Sequence, residues 1–267
     1  MQVQLLPTGP MLHDTLFDGV TVSPAREFVA MVAKTVGAKR VVLPCVGRFA
    51  AASAIIQAGT PANNLWCSDI SLFTSILGYL LDPDRKVADL DILLEGLTAE
   101  LVGTPANECE RAAGYLLALR CHSQPATNAY MLSLVKEIRY NAPLYRKHIA
   151  QQLEALVRVA AGIHYAVADV RAEIMALRHN PEQAFCYVNP PGYGGGYTRM
   201  YDAAHESMGW SVDGITEFRP KEVPLLFEAV TESPFCTLLY RRDPKAIPPG
   251  WVAVYAAHMG KRMRIDY

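Results

Sequence analysis

The spacing of hydrophobic and polar positions predicts alternating helices and strands in the first third of the chain. Apolar residues at helical spacing follow Ser23-Pro24 and stop at Gly37, which predicts a helix between them. The next four segments predict a strand, a helix, a strand and a helix: KRVVLPC, RFAAASAIIQAG, NLWCSD and SLFTSILGYLL. Such alternation is typical of a parallel sheet with helices on both faces, so we predict an α/β fold.

The pattern changes between about Asp82 and Gly162, where helical spacing continues but no segment resembles a strand. ECERAAGYLLALRC and PLYRKHIAQQLEALVRVAAG predict helices, and the polar segments HSQPATN and KEIRYN lie between them. The second helix has Pro143 in its first turn and an apolar stripe made of Leu144, Leu153, Leu156 and Ala160. We therefore predict a helical insertion at residues 83–162, with residues 1–82 and 163–267 forming the α/β domain.

Strands resume after the insertion. IHYAVAD predicts a strand that ends at Asp169, and AFCYVN predicts one that ends at Asn189. Further along, VPLLFEAV predicts a helix, FCTLLYRR a strand and WVAVYAA the final strand. A length of 267 residues suits one large α/β domain, or one domain with an insertion.

Composition narrows the class of protein. Of the residues, 51% are hydrophobic and 19% are charged, and the net charge is -1, as in a soluble globular domain. Near-neutral charge argues against a protein that coats nucleic acid, but it leaves a local basic cleft open. The six cysteines form no CxxC pair and the seven histidines show no metal-ligand spacing, which favours reduced thiols and no metal site.

Neither the start of the sequence nor its apolar runs suggest targeting or membrane insertion. MQVQLLPTGPMLHD lacks the basic start and long apolar run of a signal peptide. No uninterrupted apolar run approaches the roughly 20 residues of a membrane-spanning helix. Together with the scattered cysteines, this predicts a cytoplasmic protein without a membrane partner.

Unusual residues stand at the ends of four predicted strands, where parallel α/β sheets bind ligands. These are the Pro44 to Gly47 turn, Asp69, Asp169 and Asn189. Each has a plainer interpretation: a turn glycine, a helix N-cap at Asp69, or a turn residue at Asp169. Taken together, a glycine turn followed about 20 residues later by a carboxylate suits a nucleoside ligand, because the carboxylate can accept hydrogen bonds from both ribose hydroxyls.

The series LPCVGRFAAAS, CSDIS, VADV and YVNPPGYGGGY resembles the Dam-like adenine-N6 DNA methyltransferases, over residues 25–255. The resemblance implies a Rossmann-like class I methyltransferase sheet, with the insertion as target-recognition subdomain and S-adenosylmethionine as cofactor. It also implies that six residues bind the cofactor: Pro44, Cys45, Gly47, Asp69, Ile70 and Asp169.

The same resemblance implies a catalytic array of Asn189, Pro190, Pro191 and Tyr193. The side-chain oxygen of Asn189 and the backbone carbonyl of Pro190 would accept hydrogen bonds from the two N–H groups of the target amine. The prolines would keep these carbonyls rigid. Tyr193 would stack on a base flipped out of the duplex. The plainer interpretation is that the tyrosines pack the loop and the glycines let it turn.

Two positions depart from the family pattern. Phe49 stands where the second motif glycine is expected, and Gly192 stands where the catalytic motif has its aromatic residue. Tyr193 follows one position later, and Tyr197 is a second candidate for the stacking ring. Because of these departures, one alternative is that cofactor binding is weaker than in the family, rearranged or lost.

Basic and aromatic residues in the insertion are candidates for DNA contact. Lys136, Arg139, Arg146 and Lys147 form a basic cluster interleaved with Tyr140 and Tyr145, and six further basic residues follow late strands. The plainer interpretation is a solvated helix face. The predicted substrate-binding residues are Tyr197, Arg139, Tyr140, Arg146 and Lys147.

These observations predict an S-adenosylmethionine-dependent enzyme that methylates N6 of adenine in double-stranded DNA, in a setting such as protection from restriction. One alternative is the same chemistry on an amine of RNA, protein or a small molecule. Another is a non-catalytic protein that binds DNA or a partner through a decayed methyltransferase fold. A nicotinamide dehydrogenase is disfavoured, because the turn has one glycine and no Tyr-x-x-x-Lys pair stands out.

Overall fold

One seven-stranded sheet organises the computed structural model, which describes residues 23–124, 129–179, 184–190, 196–212, 218, 220–231, 236–242, 251–252, 254–259 and 262–266. The strands are β1 (Arg40–Pro44), β2 (Leu65–Asp69), β3 (His164–Val167), β4 (Ala184–Val188), β5 (Cys236–Arg242), β6 (Tyr255–Met259) and β7 (Arg262–Asp266). The α-helices are α1 (Ser23–Val36), α2 (Ala50–Gln57), α3 (Leu72–Leu81), α4 (Gly96–Val102), α5 (Glu108–His122), α6 (Ala129–Tyr140), α7 (Ala142–Ala160), α8 (Val170–His179), α9 (Gly196–Met208) and α10 (Val223–Thr231).

The strand order across the sheet is β3-β2-β1-β4-β5-β7-β6. Neighbouring strands from β3 to β5 pair in parallel, whereas β7 is antiparallel to both β5 and β6. From β1 the chain proceeds outward to β2 and β3, and it then returns to β4 on the other side of β1. The boundary between β1 and β4 is therefore the topological switch point of the sheet. The predicted Rossmann-like α/β fold is confirmed.

Helix signals in the sequence explain where several elements begin and end. The first helix begins at Ser23 and ends directly before Gly37, as predicted. The N-cap of α3 is Ser71, whose hydroxyl accepts a hydrogen bond from the backbone N–H of Thr74 at 3.2 Å. Asp69 is therefore the last residue of β2 and does not cap the helix, which excludes its plainer interpretation.

Alternate residues of the central strands pack into two cores, one on each face of the sheet. Val41 and Leu43 belong to the larger core, which contains buried residues of α1, α2, α3, α5, α7 and α9. Val42 belongs to the smaller core with α8 and α10. The strands are apolar on both sides because helices cover both faces, as expected for a parallel sheet.

The helices α4 to α7 form the block between α3 and β3. Its buried residues, among them Leu116 of α5 and Leu153 of α7, belong to the same continuous core as those of α2 and α3. The predicted stripe on α7 is wrong at Leu144, which is 65% exposed because nine residues separate it from the buried Leu153 and so place it on the opposite face of the helix. The polar segment KEIRYN belongs to α6 except for Asn141, and the sequence did not reveal this helix because Ile138 is its one fully buried residue among those described.

The end of the chain also differs from the prediction. WVAVYAA is not the final strand, because β6 begins at Tyr255, Val252 and Val254 are exposed, and β7 follows it. The sequence of β7, RMRID, alternates charged and apolar residues over five positions, which is too short a pattern to stand out. Helices α8 and α9 were not predicted either, because each has a narrow apolar stripe among polar residues.

Candidate active site at the carboxyl edge of the sheet

Strand register brings three predicted site residues to the same level at the switch point. Pro44, the last residue of β1, pairs with Ser68, and β2 ends one residue later at Asp69. On the other side of β1, Val42 pairs with Cys186, and both strands end two residues later, directly before Cys45 and Asn189. The ends of β1, β2 and β4 thus converge at the edge where α/β sheets bind ligands.

The turn from β1 to α2 has an unusual backbone. Cys45, Gly47 and Phe49 have φ angles of 57°, 59° and 60°, a left-handed conformation that is rare for residues other than glycine. The Val46 N–H donates to the carbonyl of Ser68 at 3.1 Å and ties the turn to β2. Alternate left-handed residues let the chain leave the strand and enter the helix within five residues.

Phe49 occupies the position of the missing glycine and retains a glycine-like φ angle. Its side chain is fully buried in the larger core, with its ring centroid 6.0 Å from that of Tyr165. The left-handed conformation of a non-glycine residue costs about 1–2 kcal/mol, and burial of an aromatic ring offsets that amount. The departure from the family pattern therefore leaves the left-handed backbone at this position intact and places the added ring in the core.

Asp69 is a nearly buried carboxylate held by backbone N–H groups. Its Oδ2 accepts a hydrogen bond from Gly47 N at 3.1 Å, and its Oδ1 accepts one from Ser71 N at 3.0 Å. Burial raises the pKa of Asp69 above its ordinary value of 3.8, although these backbone donors oppose the rise. Within the described residues no ion pair neutralises this carboxylate, so hydroxyl donors of a ligand would complement it.

Tyr165 on β3 supports Asp69 from behind. Its hydroxyl donates to the backbone carbonyl of Asp69 at 3.1 Å and lies 3.0 Å from the hydroxyl of Ser75 on α3. Its own backbone N–H donates to the Asp82 carboxylate at 2.7 Å, at the end of α3. These contacts could not be predicted from the sequence, because Tyr165 is one of several apolar residues in the strand pattern IHYAVAD.

Asp169 follows β3 and is paired with a cation. Arg171 donates to it from its backbone N at 2.7 Å and from its guanidinium Nε at 2.8 Å, and its Nη2 reaches the second carboxylate oxygen. Through Nη1 the same guanidinium donates to Glu222, just before α10, at 3.1 Å. Asp169 therefore caps α8 and carries an ion pair that links α8 to the start of α10.

Cys45 lies in the electrostatic field of both carboxylates. Burial, and then the negative charges of Asp69 and Asp169, raise the pKa of its thiol well above the ordinary value of 9.0. The thiol is therefore neutral at physiological pH and is not a nucleophile. With Pro44 and Ile70, it belongs to the edge that surrounds the carboxyl ends of β1 and β2.

The described part of the catalytic motif follows β4. Asn189 is half-buried and Pro190 is buried, directly after a strand that is buried along its whole length. Pro191, Gly192 and Tyr193 lie outside the described residues. Tyr197 lies in the first turn of α9, and its side chain also lies outside what the structure describes.

Candidate DNA-binding residues of the insertion fall into two groups. Arg139 donates two hydrogen bonds to Glu100, at 3.0 and 2.6 Å, and Arg146 donates to the carbonyls of Leu101 and Val102 at the end of α4. Their guanidinium groups thus have partners within the protein. Tyr140, which is 86% exposed, and the exposed Lys147 face solvent.

The described residues contain neither a metal-binding cluster nor a membrane-spanning helix. In the described part of the chain, no three His, Cys, Asp or Glu side chains are grouped so that they could hold a metal ion. Within the same residues, no helix combines the length and the apolar character that crossing a bilayer requires.

The family to which the sequence belongs identifies the α/β fold as that of a methyltransferase. The chain belongs to the family described as Phage DNA Adenine Methylase-like domain 1, whose sequence profile matches residues 17–265, so the predicted family is confirmed. Among solved structures, the chain is similar to the rRNA methyltransferase AviRa from Streptomyces viridochromogenes, with 14% identity and a TM-score of 0.39 over 98% of this chain and 88% of that one. No curated protein matches the sequence.

Proposed function

We propose that this methyltransferase transfers a methyl group from S-adenosylmethionine to N6 of adenine in double-stranded DNA. The observation that carries the proposal is the convergence of three strand ends at one switch point. There, the register brings the Cys45 turn and the buried Asp69 carboxylate level with Asn189. A methyl donor and an acceptor amine bound at the same edge would lie next to each other, which is the main requirement of a direct transfer.

The residues at the ends of β1 and β2 suit the cofactor. The buried Asp69 carboxylate would accept hydrogen bonds from the ribose hydroxyls, and the turn at Cys45 to Gly47 would let the methionine part approach the backbone. Pro44 and Ile70 would line the same edge. When bound, the cofactor would supply an electrophilic methyl group on a positively charged sulfur.

Asp169 is the weaker part of this assignment. Its carboxylate already accepts three hydrogen bonds from Arg171 and shares that guanidinium with Glu222. A contact with the cofactor adenine would have to use an acceptor lone pair that Arg171 leaves available. We therefore assign Asp169 a smaller share of the cofactor affinity than Asp69.

Asn189 and Pro190 would prepare the amine. The Asn189 side-chain oxygen and the Pro190 carbonyl would accept one hydrogen bond each from the two N–H groups of the amine. This would direct the nitrogen lone pair toward the methyl group. Transfer would form a carbon–nitrogen bond as the carbon–sulfur bond of the cofactor breaks, and the extra N–H proton would leave to solvent. Fixed carbonyl dipoles stabilise the positive charge that develops on nitrogen, so no side chain needs to remove a proton first.

The remaining roles come from the family resemblance. Pro191 would extend the rigid array, and Tyr193 or Tyr197 would stack on the flipped adenine. On the insertion, Tyr140 and Lys147 are the exposed candidates for DNA contact, whereas Arg139 and Arg146 would first have to leave their internal partners. Protection of DNA from restriction is a setting that suits this activity.

One assay tests the proposal. The protein is incubated with methyl-labelled S-adenosylmethionine and, separately, with unmethylated duplex DNA, RNA or protein, and the labelled product is identified. We expect label on N6 of adenine in DNA. Label on RNA or protein would show that this molecule, and not DNA, is the substrate. If calorimetry detects no cofactor binding, the result would favour a binding protein on a decayed methyltransferase fold.

Asn189→Ala gives the sharper test of the catalytic array. We expect a loss of transfer of about 100-fold or more, with cofactor affinity unchanged, because the variant lacks an acceptor aimed at the developing charge. Asn63→Ala is the matched control, since Asn63 is exposed and precedes β2, at the opposite edge of the sheet. Full activity in Asn189→Ala would show that the amine is bound elsewhere.

A further inference from the structure

Helix α9 follows the predicted catalytic motif and packs into the larger core, on one face of the sheet. It begins at Gly196, seven residues after Asn189, and its buried stripe of Met200, Ala203, Ala204 and Met208 packs into the larger core. This stripe follows helical spacing and holds the helix against α5. The position of the segment after α9 is therefore fixed by core packing.

A sharp corner follows the helix. Gly209 has a φ angle of 67°, and a Cβ atom there would lie 3.3 Å from the Cβ of Leu93, so the position suits glycine. Two hydrogen bonds anchor the corner: Leu93 N donates to the carbonyl of Met208 at 2.9 Å, and Trp210 N donates to that of Ala204 at 3.0 Å. Trp210 is thereby held in one place, half-buried beside the larger core.

The indole of Trp210 reaches the residue after Asp69. Its Nε1 donates a hydrogen bond to the backbone carbonyl of Ile70 at 3.4 Å. That carbonyl belongs to the same peptide group as the N–H of Ser71, which donates to Oδ1 of Asp69 at 3.0 Å. Because a peptide group is planar, fixing its carbonyl end also fixes the direction of its N–H end.

We propose that Trp210 is a positioning residue for the Asp69 carboxylate, acting through the peptide group between Ile70 and Ser71. The indole hydrogen bond orients this peptide and polarises its N–H, which strengthens the bond that holds Asp69. The proposal rests on the proposed function, because it takes Asp69 as the group that binds the ribose. It also gives the chain that follows the catalytic motif a direct contact with the cofactor site.

A matched pair of variants tests this role. Trp210→Phe keeps an aromatic ring but removes the N–H, and Trp251→Phe makes the same change where the indole donates to Thr231 at 2.9 Å, beside Phe227 of α10. We expect Trp210→Phe to raise the dissociation constant for S-adenosylmethionine about 5-fold, the effect of one ordinary hydrogen bond. Trp251→Phe should leave the constant unchanged, whatever it does to the melting temperature.

A double-mutant cycle separates positioning from simple packing. In an Asp69→Ala background, Trp210→Phe should have little further effect on the dissociation constant, because the group that it orients is already gone. An equal 5-fold effect in both backgrounds would overturn the proposal and show that Trp210 acts independently of Asp69. A dissociation constant unchanged in Trp210→Phe would overturn it as well.

Fluorescence gives a second measurement, because the emission of Trp210 reports changes in the surroundings of its indole. With Trp66 and Trp251 both replaced by phenylalanine, Trp210 is the last of the three tryptophans in the sequence. Its emission should change on titration with cofactor and saturate at the calorimetric dissociation constant, and a flat signal would contradict the proposal. If the wild-type protein binds no cofactor, the proposed function fails and this inference fails with it, whereas binding without any effect of Trp210 overturns the inference alone.

Discussion

Asp69 and Asp169 look alike in the sequence, since each stands at or just after the end of a neighbouring parallel strand, but their surroundings differ. Backbone N–H groups of Gly47 and Ser71 hold Asp69, and no described ion pair neutralises it. Asp169 caps a helix and shares its charge with Arg171. Among the described residues, the first carboxylate thus has no ion-pair partner, and the second is paired with an arginine that also binds Glu222 just before α10.

The difference shows that position at a strand end does not decide what a carboxylate does. A group whose charge is already paired contributes mainly to stability, whereas one without an ion-pair partner among the described residues is available to a ligand. We therefore expect the Asp69 region to determine cofactor affinity and the Asp169 region to determine how firmly α8 is attached to the segment before α10.

The largest expected effect comes from a change at Phe49, in the turn whose Gly47 N–H donates to Asp69. Phe49→Ala should lower the free energy of unfolding by about 3–5 kcal/mol, because it removes a fully buried ring and leaves a cavity. Urea denaturation measures this loss. The milder Phe49→Leu should keep cofactor affinity close to that of the wild type, and a much weaker affinity would show that the ring contacts the ligand after all.

The next test compares the two carboxylates directly. Asp69→Ala should raise the dissociation constant for the cofactor by about 10- to 100-fold, the range for hydrogen bonds to a charged group. Asp169→Ala should raise it by less, because Arg171 already occupies most of that carboxylate. Isothermal titration calorimetry on both variants decides, and an equal or larger effect at Asp169 would reverse the comparison.

The Asp169 region should show itself in stability. Arg171→Met should lower the free energy of unfolding by about 1–2 kcal/mol, because a nearly buried carboxylate loses its guanidinium donors and keeps only the backbone N–H of residue 171, although the half-exposed guanidinium limits the effect. Arg178→Met is the control, since Arg178 is an exposed residue of the same helix. Equal losses in the two variants would mean that the ion pair adds nothing measurable.

The smallest expected effect is a dependence on pH. Burial raises the pKa of Asp69 above 3.8, so the unfolded chain releases this proton before the folded protein does. The contribution of Asp69 to stability is therefore fully present below pH 3.8 and is lost as pH rises through the folded pKa. Urea denaturation across this range should show the stability of the wild type falling relative to that of Asp69→Asn as pH rises, and parallel curves would contradict this.

Much of the fold could be predicted because local pattern decides it. Strong apolar runs bounded by glycine, proline or aspartate gave β1, β2, β4, α1 and α3 close to their observed limits. Helix α6 and strand β7 could not be predicted in this way, because α6 has one fully buried residue among those described and β7 alternates charged and apolar residues over only five positions. The strand register that brings Cys45, Asp69 and Asn189 to one level is likewise not readable from any single segment.

The sequence by itself determined the α/β class, the order of the motifs and the residue types at the strand ends, because each depends on spacing within a short stretch of chain. Only the tertiary structure decided the use of those residues. It paired Asp169 with Arg171, turned the ring of Phe49 into the core and brought Trp210 to the carbonyl of Ile70. These contacts join residues through folding and packing, so their hydrogen bonds and charges act together only when the sheet and its helices are assembled.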